Sequence, residues 1–386
     1  MQSNFRLLVV RLGAMGDILH ALPAVTALRK THPQWVIGWV VDPRWQALLT
    51  AENREQRTAN SELDASAQRG PGQPLVDHIH FAPAKEWGRK PLSSKTLSQI
   101  AALRRALRAG RYDAVLDMQG AVRSALIARL AGCSRVIGEA APREHIARWL
   151  FSERVATRGS HVIEQDFELA SAVAGEPLAI EKPLLPVDSA AELWCGEVLP
   201  AAARAVLINP GAGWGAKRWP PERYAAVAQG LADRGFQVLV NTGPGEEPLA
   251  QVIVQATKGA ARPLMPTLAQ LISLTRRVAL CIAGDSGPLH LACALGRPVV
   301  GIYGPTDPSR NGPFGTRAKV LRSPLSRRDH SRRAEPELGL LTIQPQTLGA
   351  WRKRRSKLAN EACTGRISGG ILMLLSVGVN AVISSQ

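Results

Sequence analysis

Short apolar runs alternate with longer amphipathic stretches along most of the chain. In the first half, four apolar runs predict strands over residues 7–10, 36–41, 78–81 and 114–117. Between them, apolar positions with helical spacing predict helices over residues 18–30, 97–108 and 121–131. This alternation is typical of a parallel sheet covered by helices.

A second alternation begins after a proline-rich stretch at residues 180–186. Apolar runs predict strands over 205–208, 237–240, 278–282 and 299–302, and a helix over 222–234. A chain of 386 residues is also long enough for two domains. We therefore predict an α/β protein with two doubly wound, Rossmann-like domains that face a common cleft. The predicted domains span residues 1–186 and 187–345.

Two stretches interrupt this pattern. Residues 51–75 are polar, contain glycine and proline, and predict a surface insertion. Residues 346–386 combine a basic helical stretch with an apolar run at 367–383, which is borderline in length for crossing a bilayer. Such a tail is compatible with a helix lying on an anionic membrane surface, and equally with an ordinary packed or disordered terminus.

The chain carries 48 Lys and Arg against 31 Asp and Glu, a formal net charge of +17. Thirteen basic and three acidic residues lie between positions 310 and 357. This asymmetry favours an anionic partner, although an ordinary solvated surface explains it too. No nucleic-acid-binding motif accompanies the charge, so nucleic acid is not an expected partner. Five cysteines without a CxxC pair and no leader peptide predict a reducing, cytoplasmic location.

The candidate chemistry lies in loops that follow predicted strands, where ligands bind in such sheets. After the first strand comes the sequence RLGAMGDILH, residues 11–20, in which Gly13 and Gly16 allow a tight turn. Asp17 falls at the start of the next helix, where it acts either as a functional carboxylate or simply as a helix cap. The spacing of these glycines is not that of a dinucleotide-binding fingerprint.

Glycine-rich loops also follow the strands of the second half. One of them contains Gly213, Lys217 and Arg218, and it suits a phosphate unless it is a plain loop with incidental basic residues. Another reads GDSGPLHLA, residues 284–292, where a helix N-terminus predicts an anion site and Asp285 is an alternative N-cap. The loop GPGEE, residues 243–247, offers a carboxylate to ribose hydroxyls. No two aspartates have the DxD spacing of many metal-dependent sugar transferases.

In this order the motifs RLGAMGDILHALPA, GAKRWP, GPGEE, DSGPLHLA and YGPTDP resemble the ADP-heptose:lipopolysaccharide heptosyltransferases of glycosyltransferase family 9. The resemblance covers residues 5 to about 345. It implies the GT-B fold and an inverting, metal-independent transfer of heptose from ADP-heptose. The form of the first motif implies Kdo₂-lipid A as the acceptor, with the heptose attached to a Kdo residue of the inner core. No cofactor is implied, because ADP-heptose is a substrate.

The resemblance also implies roles for individual residues. Asp17 is expected to act as the general base, and Lys217 to contact the donor phosphates and assist departure of ADP. Further donor contacts are expected from Gly213, Arg218, Glu246, Asp285, Ser286, Gly287 and His290. Acceptor contacts are expected from Gly13, Gly16, His20 and Arg123. Which of Glu246 and Glu247 meets the ribose stays open.

Alternatives from other classes remain at this stage. One competing class is a GT-B enzyme with a different outcome, such as a nucleotide-sugar epimerase, and another is a binding module that keeps the fold but has lost its chemistry. A family member with a different acceptor is a third alternative. We expect a monomer that contacts the anionic cytoplasmic face of the inner membrane peripherally.

Overall fold

The computed structural model describes residues 4–51, 74–200, 203–329 and 333–348. The predicted insertion and C-terminal tail therefore lie almost entirely outside the described residues. Contacts divide the chain into two units, with the division between Ser189 and Ala190. Each unit is built around one parallel six-stranded sheet.

The sheet of the first unit has the strand order β3-β2-β1-β4-β5-β6, and all its strand pairs are parallel. This order places β1 in the middle, so that the chain winds outward in both directions. The elements are β1 (Arg6–Val10), α1 (Met15–Thr31), β2 (Val36–Val41), β3 (His78–Phe81), α2 (Ala84–Arg89), α3 (Ser94–Ala109), β4 (Ala114–Asp117), α4 (Val122–Leu130), β5 (Val136–Glu139), β6 (Glu153–Val155) and α5 (Val162–Ala174).

The second unit repeats this plan with the order β12-β11-β10-β7-β8-β9. Its two central strands, β7 and β10, are fully buried. The elements are α6 (Ser189–Val198), β7 (Ala205–Asn209), α7 (Pro221–Ala232), β8 (Gln237–Asn241), α8 (Glu247–Ala256), β9 (Ala261–Leu264), α9 (Leu268–Arg277), β10 (Leu280–Gly284), α10 (Gly287–Ala294), β11 (Val299–Tyr303), α11 (Pro308–Asn311) and β12 (Ala318–Arg322).

Residues 333–348, here called the C-terminal strap, return to the second unit after β12. Leu340 is fully buried in the core cluster that also contains Trp219 and Tyr224. The indole Nε1 of Trp219 donates to the Ile343 carbonyl at 3.0 Å. Because an indole N–H buried without an acceptor is costly, this bond fixes the strap against α7.

The predicted doubly wound fold is confirmed in both units. All eight predicted strands exist, but one of them is displaced. The prediction began a strand at Val278, whereas β10 begins at Leu280, because Val278 terminates α9, a helix that the prediction missed. The short strands β5, β6, β9 and β12 were also missed. Within the described part of the chain, no helix is both long and apolar enough to cross a membrane.

Candidate active site

The central strands of the second unit bring two distant loops together. Strands β7 and β10 pair in parallel, and the carboxyl ends of neighbouring parallel strands lie at the same edge of a sheet. The loop after β7 contains a 3₁₀ turn, Gly215–Lys217, and the loop after β10 begins with Asp285. Topology therefore places Lys217 and Asp285 side by side, although 68 residues separate them in the chain.

Lys217, Asp285 and His290 form a buried charged cluster. The Lys217 ammonium lies 2.5 Å from Oδ2 of Asp285, and Nε2 of His290 lies 3.1 Å from Oδ1. Only 15% of the Lys217 side chain and 6% of the Asp285 side chain are exposed. Burial by itself would raise the pKa of Asp285, but the hydrogen bond from His290 and the charge of Lys217 hold it well below its usual range. The carboxylate is therefore ionised and fixed in place.

Helix α10 begins next to this cluster. Its N-cap is Ser286, whose backbone is extended and whose side chain makes no capping bond. The alternative interpretation of Asp285 as the N-cap is therefore wrong, since its carboxylate is taken by Lys217 and His290. The Ser286 hydroxyl donates to the Gly284 carbonyl at 3.2 Å, and Gly287 is the first helical residue. Backbone N–H groups at such a helix start suit an anionic group.

The glycine-rich loop after β7 closes on itself. The Arg218 guanidinium donates to the Ala212 carbonyl at 3.2 Å, which makes it a brace of the loop. Gly213 is exposed, and a Cβ at this position would meet nothing within 4 Å. The loop also contacts the C-terminal strap, because the Ala216 N–H donates to the Arg333 carbonyl at 3.1 Å. The strap therefore helps to position Lys217.

A substitution at Gly215 tests this role of the strap. A Cβ at Gly215 would lie on the Ala334 carbonyl, so Gly215→Ala must displace either the strap or the turn that carries Lys217. We expect the free energy of unfolding to fall by about 1–3 kcal/mol, together with weaker ADP binding. Denaturant unfolding and calorimetric titration with ADP measure the two effects. Gly213→Ala is the matched control, with an expected change in stability of at most about 0.5 kcal/mol. Equal stability of the two variants would contradict the packing argument.

The two glutamates of the GPGEE loop have different surroundings. The Glu246 carboxylate accepts the Gly243 N–H at 3.1 Å and lies against Gly211, where a Cβ would clash with it. Glu246 thus lies next to the glycine-rich loop of the neighbouring strand. Glu247 is exposed in the first turn of α8. Gly211 has no side chain, which is what permits this close approach.

A groove of about 590 Å³ beside the end of β9 was missed by the sequence analysis. Its lining combines mostly apolar side chains with two amides, one hydroxyl and one carboxylate, from α8 and the strand ends: Thr242, Glu247, Ala250, Gln251, Val254, Gln255, Pro263, Leu264 and Met265. The Met265 side chain is 61% exposed. A mainly apolar groove at the same edge of the sheet as the anion site suits a flat heterocycle. The sequence signal for this groove was weak, because β9, whose end it adjoins, was itself not predicted.

In the first unit, Asp17 lies in the first turn of α1. Its Oδ2 accepts the Ala14 N–H at 3.0 Å, so the carboxylate does contribute to capping. Asp17 is nevertheless partly exposed, and its carboxylate has acceptor capacity beyond this one bond. The Arg11 guanidinium donates to the Asp17 backbone carbonyl at 3.0 Å and holds the turn in place. The capping and the catalytic interpretations therefore both remain compatible with the geometry.

The other predicted acceptor residues differ in accessibility. Gly13 has φ +137°, and a Cβ there would strike the Trp45 indole, so the turn requires glycine. Gly16, in the first turn of α1, is half-buried. Arg123 is exposed in the first turn of α4, and β4 adjoins β1, so Arg123 lies at the same sheet edge as Asp17. His20 is only 6% exposed and packs against the ring of His161.

A buried carboxyl group lies behind Asp17. Asp166 on α5 is 2% exposed, and its Oδ2 has no hydrogen-bond partner among the described residues. Burial raises the pKa of Asp166 to about 7; the charge of Arg11 opposes this rise, and those of Asp17 and Glu139 add to it. Asp166 was not predicted as a functional residue, because an aspartate within a helix looks like an ordinary surface residue.

The elevated pKa predicts a pH-dependent stability. The folded chain keeps the Asp166 proton up to about pH 7, whereas the unfolded chain releases it near the ordinary value of 3.8. Stability from this group is therefore present at low pH and is lost as the pH rises through this window. From pH 5 to pH 8, we expect the unfolding free energy of the wild type to fall by about 2–4 kcal/mol more than that of Asp166→Asn, because asparagine has no proton to release. Denaturant unfolding at the two pH values measures this, with the exposed Asp233→Asn as control. Parallel losses in all three proteins would contradict the prediction.

Among the residues that the structure describes, no group of three or more His, Cys, Asp or Glu side chains is arranged to hold a metal ion. The first unit offers a carboxylate at a glycine turn. The second offers a site for an anion and, at the same edge of its sheet, a mainly apolar groove. Two Rossmann-like units of this kind define the GT-B class of sugar transferases.

Comparison with known proteins gives the family. Residues 100–340 match the model of glycosyltransferase family 9 (heptosyltransferase), and the chain belongs to this family. Lipopolysaccharide heptosyltransferase 1 of Escherichia coli K12 is 29% identical over 83% of this chain and 94% of its own length. Lipopolysaccharide heptosyltransferase 3 of Escherichia coli is 24% identical over 76% of this chain and 81% of its own length.

A solved structure supports the same assignment. E. coli heptosyltransferase WaaC with ADP matches with a TM-score of 0.67 and 25% identity, over 83% of this chain and 94% of that one. The same enzyme with ADP-2-deoxy-2-fluoro heptose matches with a TM-score of 0.66. The predicted GT-B fold and the predicted transferase class are thereby confirmed, and the epimerase and the inactive binding module are disfavoured.

Proposed function

We propose that this protein transfers heptose from ADP-heptose to a Kdo residue of the lipopolysaccharide inner core. The main support for ADP-heptose as the donor is the Lys217–Asp285–His290 cluster at the start of α10. A fixed ammonium beside a helix N-terminus is what a diphosphate requires. The solved relative with a bound ADP-heptose analogue supports the identity of the donor.

The donor is proposed to lie along the carboxyl edge of the second sheet. Its diphosphate contacts Lys217 and the backbone of Ser286 and Gly287, while its adenine occupies the groove beside Met265. Glu246 is the ribose ligand, because its carboxylate lies next to the glycine-rich loop. Asp285 and His290 hold Lys217 in place, and Asp285 also reaches the heptose. Gly213 allows the backbone to approach the donor closely, and Arg218 braces that loop.

The acceptor is proposed to lie at the edge of the first sheet that carries Asp17. Arg123 is exposed at this edge and is suited to a Kdo carboxylate or a phosphate. Gly13 and Gly16 keep the turn open for the acceptor sugar, and His20 supports the turn from beneath, since it is buried. In this interpretation Asp17 faces the acceptor hydroxyl that becomes glycosylated.

The reaction is an in-line displacement at the anomeric carbon. The acceptor oxygen forms a bond to that carbon as the bond to the ADP oxygen breaks, and Asp17 takes the hydroxyl proton. Lys217 and the N-terminus of α10 stabilise the charge that develops on departing ADP. Attack opposite the leaving group inverts the anomeric configuration. Because these groups neutralise the diphosphate, the transfer is proposed to need no metal ion.

The protein is proposed to act as a cytoplasmic monomer on the inner face of the inner membrane. The basic residues between positions 310 and 357 suit an acceptor that carries phosphates and carboxylates. A second member of the family, a heptosyltransferase 3, matches almost as much of the chain, so acceptor choice is the finer part of the proposal.

Transfer in the presence of EDTA tests the proposal. Purified protein is given ADP-heptose with either Kdo₂-lipid A or an acceptor that already carries the first heptose. We expect a product with Kdo₂-lipid A and none with the heptosylated acceptor, and we expect the yield to be the same with and without EDTA. A product only with the heptosylated acceptor would assign the chain to a later step of core synthesis. Loss of the product in EDTA, with recovery on adding Mg²⁺, would refute metal independence.

A further inference from the structure

The connection between β5 and β6 carries an exposed patch that the transfer chemistry does not use. Residues His145–Leu150 form a 3₁₀ helix in which Ile146 and Trp149 are 69% and 67% exposed. Side chains three residues apart lie above one another on a 3₁₀ helix, so these two apolar groups face the same way. Together with Arg148 and Arg154 they are called the Trp149 patch.

Two guanidinium groups flank the indole of the patch. The Cζ atoms of Arg148 and Arg154 lie 5.4 Å and 5.3 Å from the centre of the Trp149 ring. The Arg154 Nε donates to the Arg148 carbonyl at 3.1 Å, which holds Arg154 beside the ring. These cation–π contacts keep the exposed tryptophan and both charges together.

The positive charge of the patch is not neutralised locally. Glu153 pairs with Arg135 at 2.8 Å, and the Glu144 carboxylate accepts the Val122 N–H at 2.8 Å. In the described ranges, no carboxylate forms a salt bridge with Arg148 or Arg154. The patch therefore combines an apolar, aromatic surface with two cations that have no salt-bridge partner among the described residues.

We propose that the Trp149 patch docks on an anionic phospholipid surface. Tryptophan is favoured at the boundary between headgroups and acyl chains, because its ring is apolar and its N–H is polar. Arginine extends from this boundary to the phosphates. A protein partner fits less well, because four residues form only a small part of the roughly 800 Å² per partner that a stable interface buries.

The position of the patch suits a lipid-anchored acceptor, and in this respect the inference rests on the proposed function. Glu144, the N-cap of the 3₁₀ helix, is hydrogen-bonded to the start of α4, since its carboxylate accepts the Val122 N–H at 2.8 Å. Arg123 lies in the first turn of that helix. Docking through Trp149 would therefore hold the start of α4, and with it Arg123, near the membrane surface.

Vesicle binding tests the docking without donor or acceptor. The full chain is sedimented with phosphatidylcholine vesicles that contain or lack phosphatidylglycerol. We expect binding only to the anionic vesicles, with about tenfold weaker partitioning for Trp149→Ala. Arg154→Gln is expected to weaken it about fivefold, because one cation near such a surface contributes about 1 kcal/mol. Brominated lipids should quench the tryptophan emission of the wild type more than that of Trp149→Ala.

Two controls share the chemistry of the patch but lie elsewhere. Leu92, which is 86% exposed, and the exposed Arg105 are replaced to give Leu92→Ala and Arg105→Gln. Both are expected to bind like the wild type. Equal binding of Trp149→Ala and Leu92→Ala would overturn the proposal, as would equal binding of the wild type to neutral vesicles. A change in the sedimentation coefficient of Trp149→Ala in lipid-free buffer would instead mark the patch as a contact between copies of the chain, and the proposal would fall.

The proposed function and the docking fail in different assays. Trp149→Ala should transfer heptose to a soluble, delipidated Kdo acceptor at the wild-type rate, and should be slower only with vesicle-bound acceptor. If the wild type bound anionic vesicles through Trp149 but transferred nothing, the docking would stand and the transferase proposal would fail. Normal transfer with vesicle binding that is independent of Trp149 would overturn the docking and leave the transferase proposal standing.

Discussion

Asp17→Asn is expected to lower kcat by about 10²–10⁴-fold and to leave ADP binding nearly unchanged. The amide keeps an oxygen that accepts the Ala14 N–H, so the start of α1 stays capped. The amide cannot take a proton from the acceptor hydroxyl, so the proposed general base is lost. Steady-state transfer kinetics together with ADP titration measure the two quantities.

Asp17→Ala provides the comparison that separates capping from catalysis. It removes both the proposed base and the hydrogen bond to the Ala14 N–H, so kcat should fall as in Asp17→Asn, with an added loss of about 0.5–1.5 kcal/mol in unfolding free energy. If Asp17→Asn kept near-normal turnover while Asp17→Ala lost stability, Asp17 would be a capping residue only. The general base would then have to be sought elsewhere in the first unit.

Lys217→Met is expected to lower kcat/KM by about 10²–10³-fold, with weaker ADP binding and lower turnover. The methionine keeps the apolar stem but removes the charge that is proposed to neutralise the diphosphate in the bound donor and in the transition state. It also leaves Asp285 buried with His290 as its remaining polar partner, and losing one member of a buried ion pair costs up to about 3–5 kcal/mol. Thermal unfolding should therefore show a lower Tm.

The double variant Lys217→Met/Asp285→Asn separates stability from chemistry. With both charges removed, no ionised carboxylate is left unpaired, and most of the lost stability should return. Activity should stay low, because the diphosphate still lacks its ammonium. Recovery of transfer together with stability would show that Lys217 only neutralises Asp285, and would contradict its proposed contact with the donor.

Features that depend on neighbouring residues could be predicted from the sequence, whereas features that depend on residues far apart in the chain could not. Long apolar runs such as residues 7–10 and 205–208 indicated the central strands, because a parallel sheet buries both faces of its middle strands. Strand β9, Ala261–Leu264, was missed because arginine and proline interrupt it at an exposed position. The GDSGPLHLA loop predicted an anion site, but the pairing of Asp285 with Lys217 required the strand order.

Contacts between segments that are distant in the chain could not be predicted from the sequence, because they depend on how the chain folds and not on local residue patterns. Gly215 looked like one glycine among several, yet its lack of a Cβ matters because Ala334 passes against it. Asp166 looked like a surface residue of α5, and its elevated pKa follows from burial against α1. Trp149 gave no periodic signal, because its significance lies in the two arginines beside its ring.

The C-terminal strap also has a consequence for biosynthesis. The Trp219 indole finds its acceptor at Ile343, which is translated 124 residues later. The sheet of the first unit, by contrast, uses no strand beyond Val155, so this unit can assemble while the second is still being made. We therefore expect the loop that carries Lys217 to reach its final form only after the ribosome has released the strap. A nascent chain would then fold the unit that contains Asp17 first and acquire affinity for the nucleotide only once the strap has been made.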